Sequence, residues 1–225
     1  MPLHTAEALV LRTYKLGEAD RIVVFLTRDR GKKRGVAKGA RRQRSRFAGA
    51  LEPLTEVRVA YFESERRELV GLNYAETVRS PLALATSADR AAPVMSGHYL
   101  LVEYIAELLD EWAQDSDADD RLYRLGASML DALTAGAPVE PLARYFEYWL
   151  LRLQGVYPEA RGTLSSEALG FLSAARSVPP HDVGVIPADP RMLMELEIVH
   201  RALISTHLEK SLKSERVLRE MRRHV

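Results

Sequence analysis

The densest group of chemically active side chains in the sequence is a run of cations between residues 28 and 46. It holds ten lysines and arginines against a single acid, Asp29, which gives a net charge of +9 over 19 residues. Cations at this density bind polyanions tightly because they release condensed counterions, and arginine forms forked contacts with phosphate. The run therefore predicts a nucleic-acid-binding surface rather than a solvated basic hairpin without a ligand. The residues expected to contact phosphates are Arg34, Lys38, Arg41, Arg42, Arg44 and Arg46.

The distribution of charge along the whole chain agrees with this interpretation. The formal net charge is only +1, but residues 1–80 hold 17 basic and 10 acidic side chains (+7), which leaves 15 basic and 21 acidic ones (−6) in residues 81–225. Such a division indicates one part that faces a polyanion and another part with a different role.

Two loop-like segments resemble ligand-binding motifs but are incomplete. Gly31, Gly35 and Gly39 are spaced as in a glycine-rich loop, yet the Gly-Lys-Ser/Thr ending of an ATP-binding loop is missing. Residues 115–120 begin like a calcium loop, but glycine is absent from its sixth position, and Gly126 occupies the place of the final glutamate. A solvated acidic turn is the better interpretation of the second segment.

The sequence offers no complete catalytic or metal-binding set. Cysteine is absent, which excludes disulfides, cysteine-ligated zinc and cysteine nucleophiles. His200 and His207 are about 10 Å apart along a helix, too far for one zinc ion. No apolar run is long enough for a membrane span, and the first residues do not form a signal peptide. We therefore expect no catalytic residue, no metal and no cofactor, in a chain suited to a reducing cytoplasm.

The elements that position the cation run are predicted from the apolar periodicity. Five β-prone runs are separated by turn residues, at 6–14, 22–27, 32–38, 57–62 and 68–76. Five short strands within 80 residues predict a small barrel or sandwich. Residues 39–49 are expected to form a long surface loop. Phe47 and Tyr61 offer rings for stacking on bases, but each suits a hydrophobic core at least as well.

The spacing of apolar residues becomes helical after Ser80-Pro81. Helices are expected at about 93–112, 122–133, 140–154 and 165–175, from residue 190 onward, and at 214–223. The segment 155–190 is rich in proline and glycine and is expected to be irregular. The predicted fold is α+β with two domains: a nucleic-acid-binding barrel at 1–80 and an α-helical domain at 81–225.

Motifs at matching spacing resemble the RecO family of bacterial recombination mediators. They are Glu-Ala-Leu-Val-Leu-Arg (7–12), Gly-Glu-Ala-Asp-Arg (17–21), Phe-Leu-Thr (25–27), Gly-Lys (31–32), Val-Ala-Lys-Gly-Ala-Arg-Arg (36–42), Ser-Arg-Phe (45–47) and Leu-Glu-Pro (51–53). Near the end, Thr-His-Leu-Glu (206–209) and Leu-Lys-Ser (212–214) are also similar to that family. The resemblance implies a five-stranded OB-fold barrel followed by a helical domain.

The resemblance also implies a function. Such proteins bind single- and double-stranded DNA, anneal complementary strands and work with RecR, with or without RecF. They help to load RecA onto DNA coated by single-strand-binding protein, and they act in the bacterial cytoplasm at the nucleoid. In this chain the acidic tail of single-strand-binding protein is expected to bind through Lys210, Lys213 and Arg216.

This chain departs from many family members in one respect. They carry a four-cysteine zinc site in the region that corresponds to 155–190, and the cysteines are missing here. We therefore expect that segment to be held by packing of Leu169, Phe171 and Leu172.

Two alternatives stay open at this point. An OB-fold protein that binds RNA would also need a basic barrel. A metal-dependent nuclease would need a cluster of carboxylates near the cations, for which Asp20, Asp29 and Glu52 are scattered candidates.

Overall fold

The computed structural model describes residues 2–64, 68–81, 97–158, 164–209 and 212. The described residues fall into two compact units. The first unit lies within 1–83 and 102–130, and the second lies within 84–101 and 131–225. Two helical stretches are thus grouped with the strands, while the domain division at residue 80 stays a prediction.

The first unit contains a closed barrel of five strands. They are β1 (Leu3–Leu16), β2 (Asp20–Thr27), β3 (Gly31–Ala37), β4 (Glu56–Phe62) and β5 (Val70–Arg79). The strands follow the order β1-β2-β3-β5-β4, and β4 pairs with β1 to close the barrel. The β3–β5 pairing is parallel and the other four pairings are antiparallel. The prediction of a five-stranded OB-type barrel followed by helices is confirmed.

Alternation along the strands sends one set of side chains into the barrel. The interior cluster includes Val10, Phe25, Val59 and Leu72, together with Tyr61, whose ring meets that of Phe25 edge-on at 5.8 Å. The opposite set, which includes Leu9, Val24 and Leu26, is also buried, although it points away from the interior.

Helical segments of the first unit cover part of that outer face. They belong to α1 (Gly97–Trp112) and α2 (Asp120–Thr134). Gly126 allows a close approach, since a Cβ there would lie 2.7 Å from Leu9 Cδ1 and 2.8 Å from Leu109 Cδ1. The helices therefore pack directly on β1, which explains why both faces of that strand are apolar.

The second unit is helical, with α3 (Val139–Leu153), α4 (Ser166–Ala174), a 3-10 helix (Pro180–Val185) and α5 (Pro190–Leu208). Asp189 caps α5, because its carboxylate accepts hydrogen bonds from the backbone N–H groups of Arg191 and Met192 at 2.8 and 3.1 Å. The expected helices at 140–154 and 165–175, and the one that begins at 190, are confirmed. The helix expected at 214–223 lies outside the described residues.

Buried apolar side chains and hydrogen bonds from α3 hold the segment that follows α3. Phe171 and Leu172 are buried and Leu169 is half-buried, as expected for this segment. Tyr145 donates a hydrogen bond to the Val178 carbonyl at 3.1 Å, and Trp149 donates one to the Ala175 carbonyl at 3.0 Å. The described part of 155–190 is therefore held by the burial of its apolar side chains and tied to α3 by two side-chain hydrogen bonds.

Across the ranges that the structure describes, every helix is too short or too polar to cross a membrane.

Candidate nucleic-acid interface

The loop between β3 and β4 is an ordered part of the barrel. Between residues 40 and 50 its backbone makes five hydrogen bonds of the i to i−3 type, at 3.1 to 3.3 Å. Phe47, Ala50 and Leu51 are buried and belong to the interior cluster. The sequence predicts a surface loop here; the structure adds that its apolar residues point inward, so its cations are held on the outside.

A second set of hydrogen bonds anchors this loop to the turn between β1 and β2. The Gly39 N–H donates to the Asp20 carboxylate at 2.8 Å, and Gly39 has a φ of +73°, which favours glycine. The Arg41 N–H donates to the Ala19 carbonyl at 2.9 Å, and its guanidinium donates to the Gly17 carbonyl at 2.8 Å. These contacts fix where the loop cations lie on the barrel.

Five cations of the loop face solvent. They are Lys38, Arg41, Arg42, Arg44 and Arg46. Within the described residues, none of the five has a carboxylate within 4.0 Å. The Arg46 guanidinium lies over the Phe47 ring, 5.0 Å from its centroid, so its charge stays at the surface. The loop thus presents five exposed positive charges, without a nearby carboxylate among the described residues, on an ordered backbone.

The cations before the loop are in a different state, because acids from distant parts of the chain neutralise them. Lys32 is only 8% exposed, and its ammonium lies 2.6 Å from the Asp110 carbonyl and 3.4 Å from the Asp110 carboxylate. The Lys33 ammonium contacts Glu63 at 2.7 Å. The Arg28 guanidinium lies 3.0 Å from Asp120. The first half of the run is therefore compensated by tertiary contacts, although the sequence around it holds a single acid.

Arg34 lies at the border between the two groups. Its side chain is exposed, yet one guanidinium nitrogen lies 3.8 Å from the Asp115 carboxylate. The backbone around Asp115 runs along β3: the Lys32 N–H donates to the Gln114 carbonyl at 3.1 Å, and the Ser116 N–H donates to the Lys32 carbonyl at 3.0 Å. Arg34 is therefore accessible to a ligand but shares its charge with an acid.

Sequence reasoning overlooked this acidic segment as a partner of the cations. Residues 107–120 hold seven acids and no lysine or arginine, which is the complement expected for the basic β3. Gly31 permits the approach, since a Cβ there would lie 2.2 Å from the Asp117 carbonyl oxygen. The opposite charges of the two runs are the sequence feature from which this contact could have been predicted.

The two aromatic residues considered for stacking on bases are core residues. Phe47 is 2% exposed and Tyr61 is 0% exposed. Burial, with a further contribution from Glu63, raises the pKa of Tyr61 to about 12. The pKa of Glu63 is lowered, chiefly by the hydrogen bond from Lys33. The stacking role proposed for these two rings is therefore wrong, and the core alternative is correct.

The acids considered for a nuclease are not gathered into a site. Asp20 accepts the hydrogen bond from Gly39, and Asp29 lies 3.7 Å from Arg30. The described part of the chain holds no group of three His, Asp or Glu residues placed to bind a metal ion. No specific observation therefore favours the nuclease alternative.

The remaining predicted residues lie elsewhere. His200 is buried in the second unit, whereas His207 is exposed, so the two do not share an environment. Lys210, Lys213 and Arg216, the expected partner-binding residues, lie outside the described residues.

Comparison with known proteins gives consistent matches over most of the chain. Residues 1–81 match the family model described as Recombination protein O N terminal, and residues 98–162 match Recombination protein O C terminal. Among relatives named DNA repair protein RecO, that of Koribacter versatilis is 41% identical over 157 residues, which is 70% of this chain and 61% of the relative. The one from Anaeromyxobacter sp. (strain K) is 39% identical over 150 residues, which is 67% of this chain and 56% of the relative.

A third relative aligns over nearly its whole length. The DNA repair protein RecO of Nocardioides sp. is 34% identical, over 94% of this chain and 97% of the relative. The chain thus spans about three fifths of the first two relatives and nearly all of this one.

Proposed function

The chain belongs to the RecO family, and from that premise we propose that it is a DNA-binding recombination mediator in DNA repair. The observation that carries the proposal is the ordered β3–β4 loop with five exposed, uncompensated cations on an OB-type barrel. Family members are generally not enzymes, and we propose no catalytic step for this chain. Its contribution is to bind, to orient and to bring strands and proteins together.

The chemistry of the loop suits the sugar–phosphate backbone of DNA. Each cation that meets a phosphate releases condensed counterions, so the interaction is strong and independent of sequence. We propose that Lys38, Arg41, Arg42, Arg44 and Arg46 make these contacts and that Arg34 adds one at the edge. A surface that binds backbone in this way accepts both single- and double-stranded DNA, and it screens the repulsion between two strands during annealing.

The partners of the proposed function are those that the family suggests. RecR, with or without RecF, would act with this chain to load RecA onto DNA coated by single-strand-binding protein. The acidic tail of single-strand-binding protein would bind cations that include Lys210, Lys213 and Arg216. Holding tail and DNA on one molecule raises the effective concentration of each near the other, which favours exchange of proteins on the DNA.

The salt dependence of DNA binding tests the role of the loop. A variant with alanine at Lys38, Arg42 and Arg44 loses three exposed cations and spares Arg41, which anchors the loop. We expect weaker binding, and a plot of log affinity against log salt that is shallower by about 2 units on single strands, at ~0.7 unit per phosphate contact. Fluorescence anisotropy titrations of a labelled oligonucleotide at four or more salt concentrations measure this slope.

A matched control separates local contacts from net charge. Alanine at Arg121, Arg176 and Arg191 removes the same number of exposed cations from positions outside the five strands and the β3–β4 loop and should leave the slope near that of the wild type. An unchanged slope in the loop variant, or equal flattening in both variants, would contradict the proposal. Tighter binding of RNA than of DNA of the same sequence would instead favour an RNA-binding function, since the 2′-OH distinguishes the two.

Replacing Asp115 tests the same interface, but here DNA binding is expected to become stronger. Replacing it with asparagine removes the carboxylate that faces Arg34 at 3.8 Å, so that Arg34 is left free for a phosphate. We expect DNA affinity to rise by roughly 2- to 5-fold at low salt, in line with the small energies of exposed ion pairs. The same titration measures the change, with Asp182→Asn as a control that makes an equal change in net charge. Equal tightening in both variants would show that only net charge matters.

A further inference from the structure

The outer face of β1, β2 and β3 carries a short apolar row that is partly exposed among the residues that the structure describes. Tyr14 pairs with Ile22, and Ile22 pairs with Val36, so the three lie side by side across the strands. The neighbouring row on the same face contains Arg12, two residues before Tyr14 on β1. The Arg12 guanidinium lies 3.3 Å from the Asp110 carboxylate of α1. Since alternate residues share a face, Tyr14 points to the same outer side as Arg12, just beyond the helix contact.

Tyr14 is unusually accessible for an aromatic residue within a strand. Its exposed fraction is 47%, whereas Ile22 and Val36 are half-buried. The Arg12 guanidinium donates to the Tyr14 hydroxyl at 3.4 Å, which restrains the ring. The result is a ring that is about half exposed and held at its hydroxyl, next to two aliphatic side chains.

Exposed cations border this row. Arg34 lies two residues before Val36 on β3, and Lys38 follows the end of the same strand. On the other side, the Arg41 guanidinium is bound to the carbonyl of Gly17, three residues after Tyr14. The ring therefore lies at the margin of the phosphate-binding loop.

We propose that Tyr14 stacks on a base of single-stranded DNA whose neighbouring phosphates bind the loop cations. The inference rests on the proposed function and adds a preference for single strands to it. Cations alone recognise phosphate, but a free aromatic face recognises an unstacked base whatever its identity. Bases in a duplex are already stacked on each other, so Tyr14 contributes nothing to duplex binding.

The dimensions of the row favour a base over a protein partner. Three strands at about 4.8 Å spacing span ~10 Å, which is the scale of one or two bases. Stable protein interfaces bury far larger areas, typically with 20–30 residues on each side. The positive border also favours a polyanion.

The test compares Tyr14→Ala and Tyr14→Phe on three probes of equal length: single-stranded thymidine oligonucleotide, the same backbone without bases, and duplex. We expect Tyr14→Ala to weaken binding of the thymidine strand by about 5-fold to about 150-fold, the range for loss of one stacked base. Tyr14→Phe should bind nearly as well as the wild type. Neither variant should change the salt slope or the affinity for duplex or abasic strand. Tyr74→Ala, which removes an exposed tyrosine from β5, is the matched control.

The outcomes separate the two proposals. If the wild type binds DNA and Tyr14→Ala binds the thymidine strand equally well, stacking is rejected while the proposed function stands. If Tyr14→Ala weakens all three probes alike, the ring acts through the fold and the inference is again wrong. If the wild type binds no DNA at all, both proposals are rejected.

Discussion

Replacing Glu147 with alanine is expected to lower the free energy of unfolding by about 3 kcal/mol, the lower end of the cost of breaking a buried ion pair. Glu147 is 2% exposed on α3 and lies at the centre of a buried polar network. One carboxylate oxygen is 3.1 Å from Arg144 and the other is 3.0 Å from His200 of α5. His200 also lies 3.4 Å from the Tyr157 hydroxyl. Removing the carboxylate takes away the nearest acid of the Arg144 guanidinium, which is 5% exposed and keeps only Glu197, at 3.6 Å, among the described acids.

Urea unfolding of the purified protein measures this change, and hydrogen exchange shows whether the loss is confined to α3 and α5. The matched control is Glu140→Ala on the same helix, where the side chain is exposed and a change of a few tenths of a kcal/mol is expected. Glu147→Gln keeps the shape of the side chain and should cost less than alanine. A Glu147→Ala variant as stable as the control would contradict this prediction, because it would mean that Glu197 or water compensates the Arg144 charge without Glu147.

Replacing Asp110 with alanine is expected to lower the free energy of unfolding by about 3 kcal/mol, because two cations lose their nearest carboxylate. The Asp110 carboxylate lies 3.4 Å from the Lys32 ammonium and 3.3 Å from the Arg12 guanidinium. Arg12 keeps Glu107 and Glu111, at 3.7 and 3.9 Å. Among the described residues, Lys32 keeps only the carbonyl of residue 110 and the more distant Asp115, so most of the cost falls on this buried lysine.

The same unfolding measurement applies, with Asp117→Ala as the control. Asp117 belongs to the same acidic stretch, but its side chain is exposed, and we expect a change below about 0.5 kcal/mol. A double variant, Asp110→Leu with Lys32→Met, should recover much of the stability, because an apolar pair replaces the ionic one. If the Asp110→Ala variant is as stable as the Asp117→Ala control, the Asp110 carboxylate does not stabilise the buried Lys32 ammonium, and the prediction is wrong.

These two stability predictions also bear on the interface. Lys32 is expected to matter for folding and Lys38 for DNA binding, although both are lysines of one basic run. A variant of Lys32 that lowers stability without changing the salt slope would agree with this division.

The sequence by itself determined the class of the fold and the charge of its first part. Strand runs near 22–27 and 57–62, and the helix at 140–154, are visible because apolar periodicity is a local property of neighbouring residues. The number of cations between 28 and 46 is equally local, and their density alone predicts a polyanion-binding surface. The family motifs follow from residue order alone.

Only the tertiary structure decided which of those cations are available. Lys32 and Asp110 are 78 residues apart in sequence, so no local pattern reveals that they meet. The structure likewise places Tyr61 inside the barrel and Tyr14 outside it, although both stand in β-prone runs. The physical reason is that pairing and burial depend on distances between elements, and those distances exist only after the chain has folded.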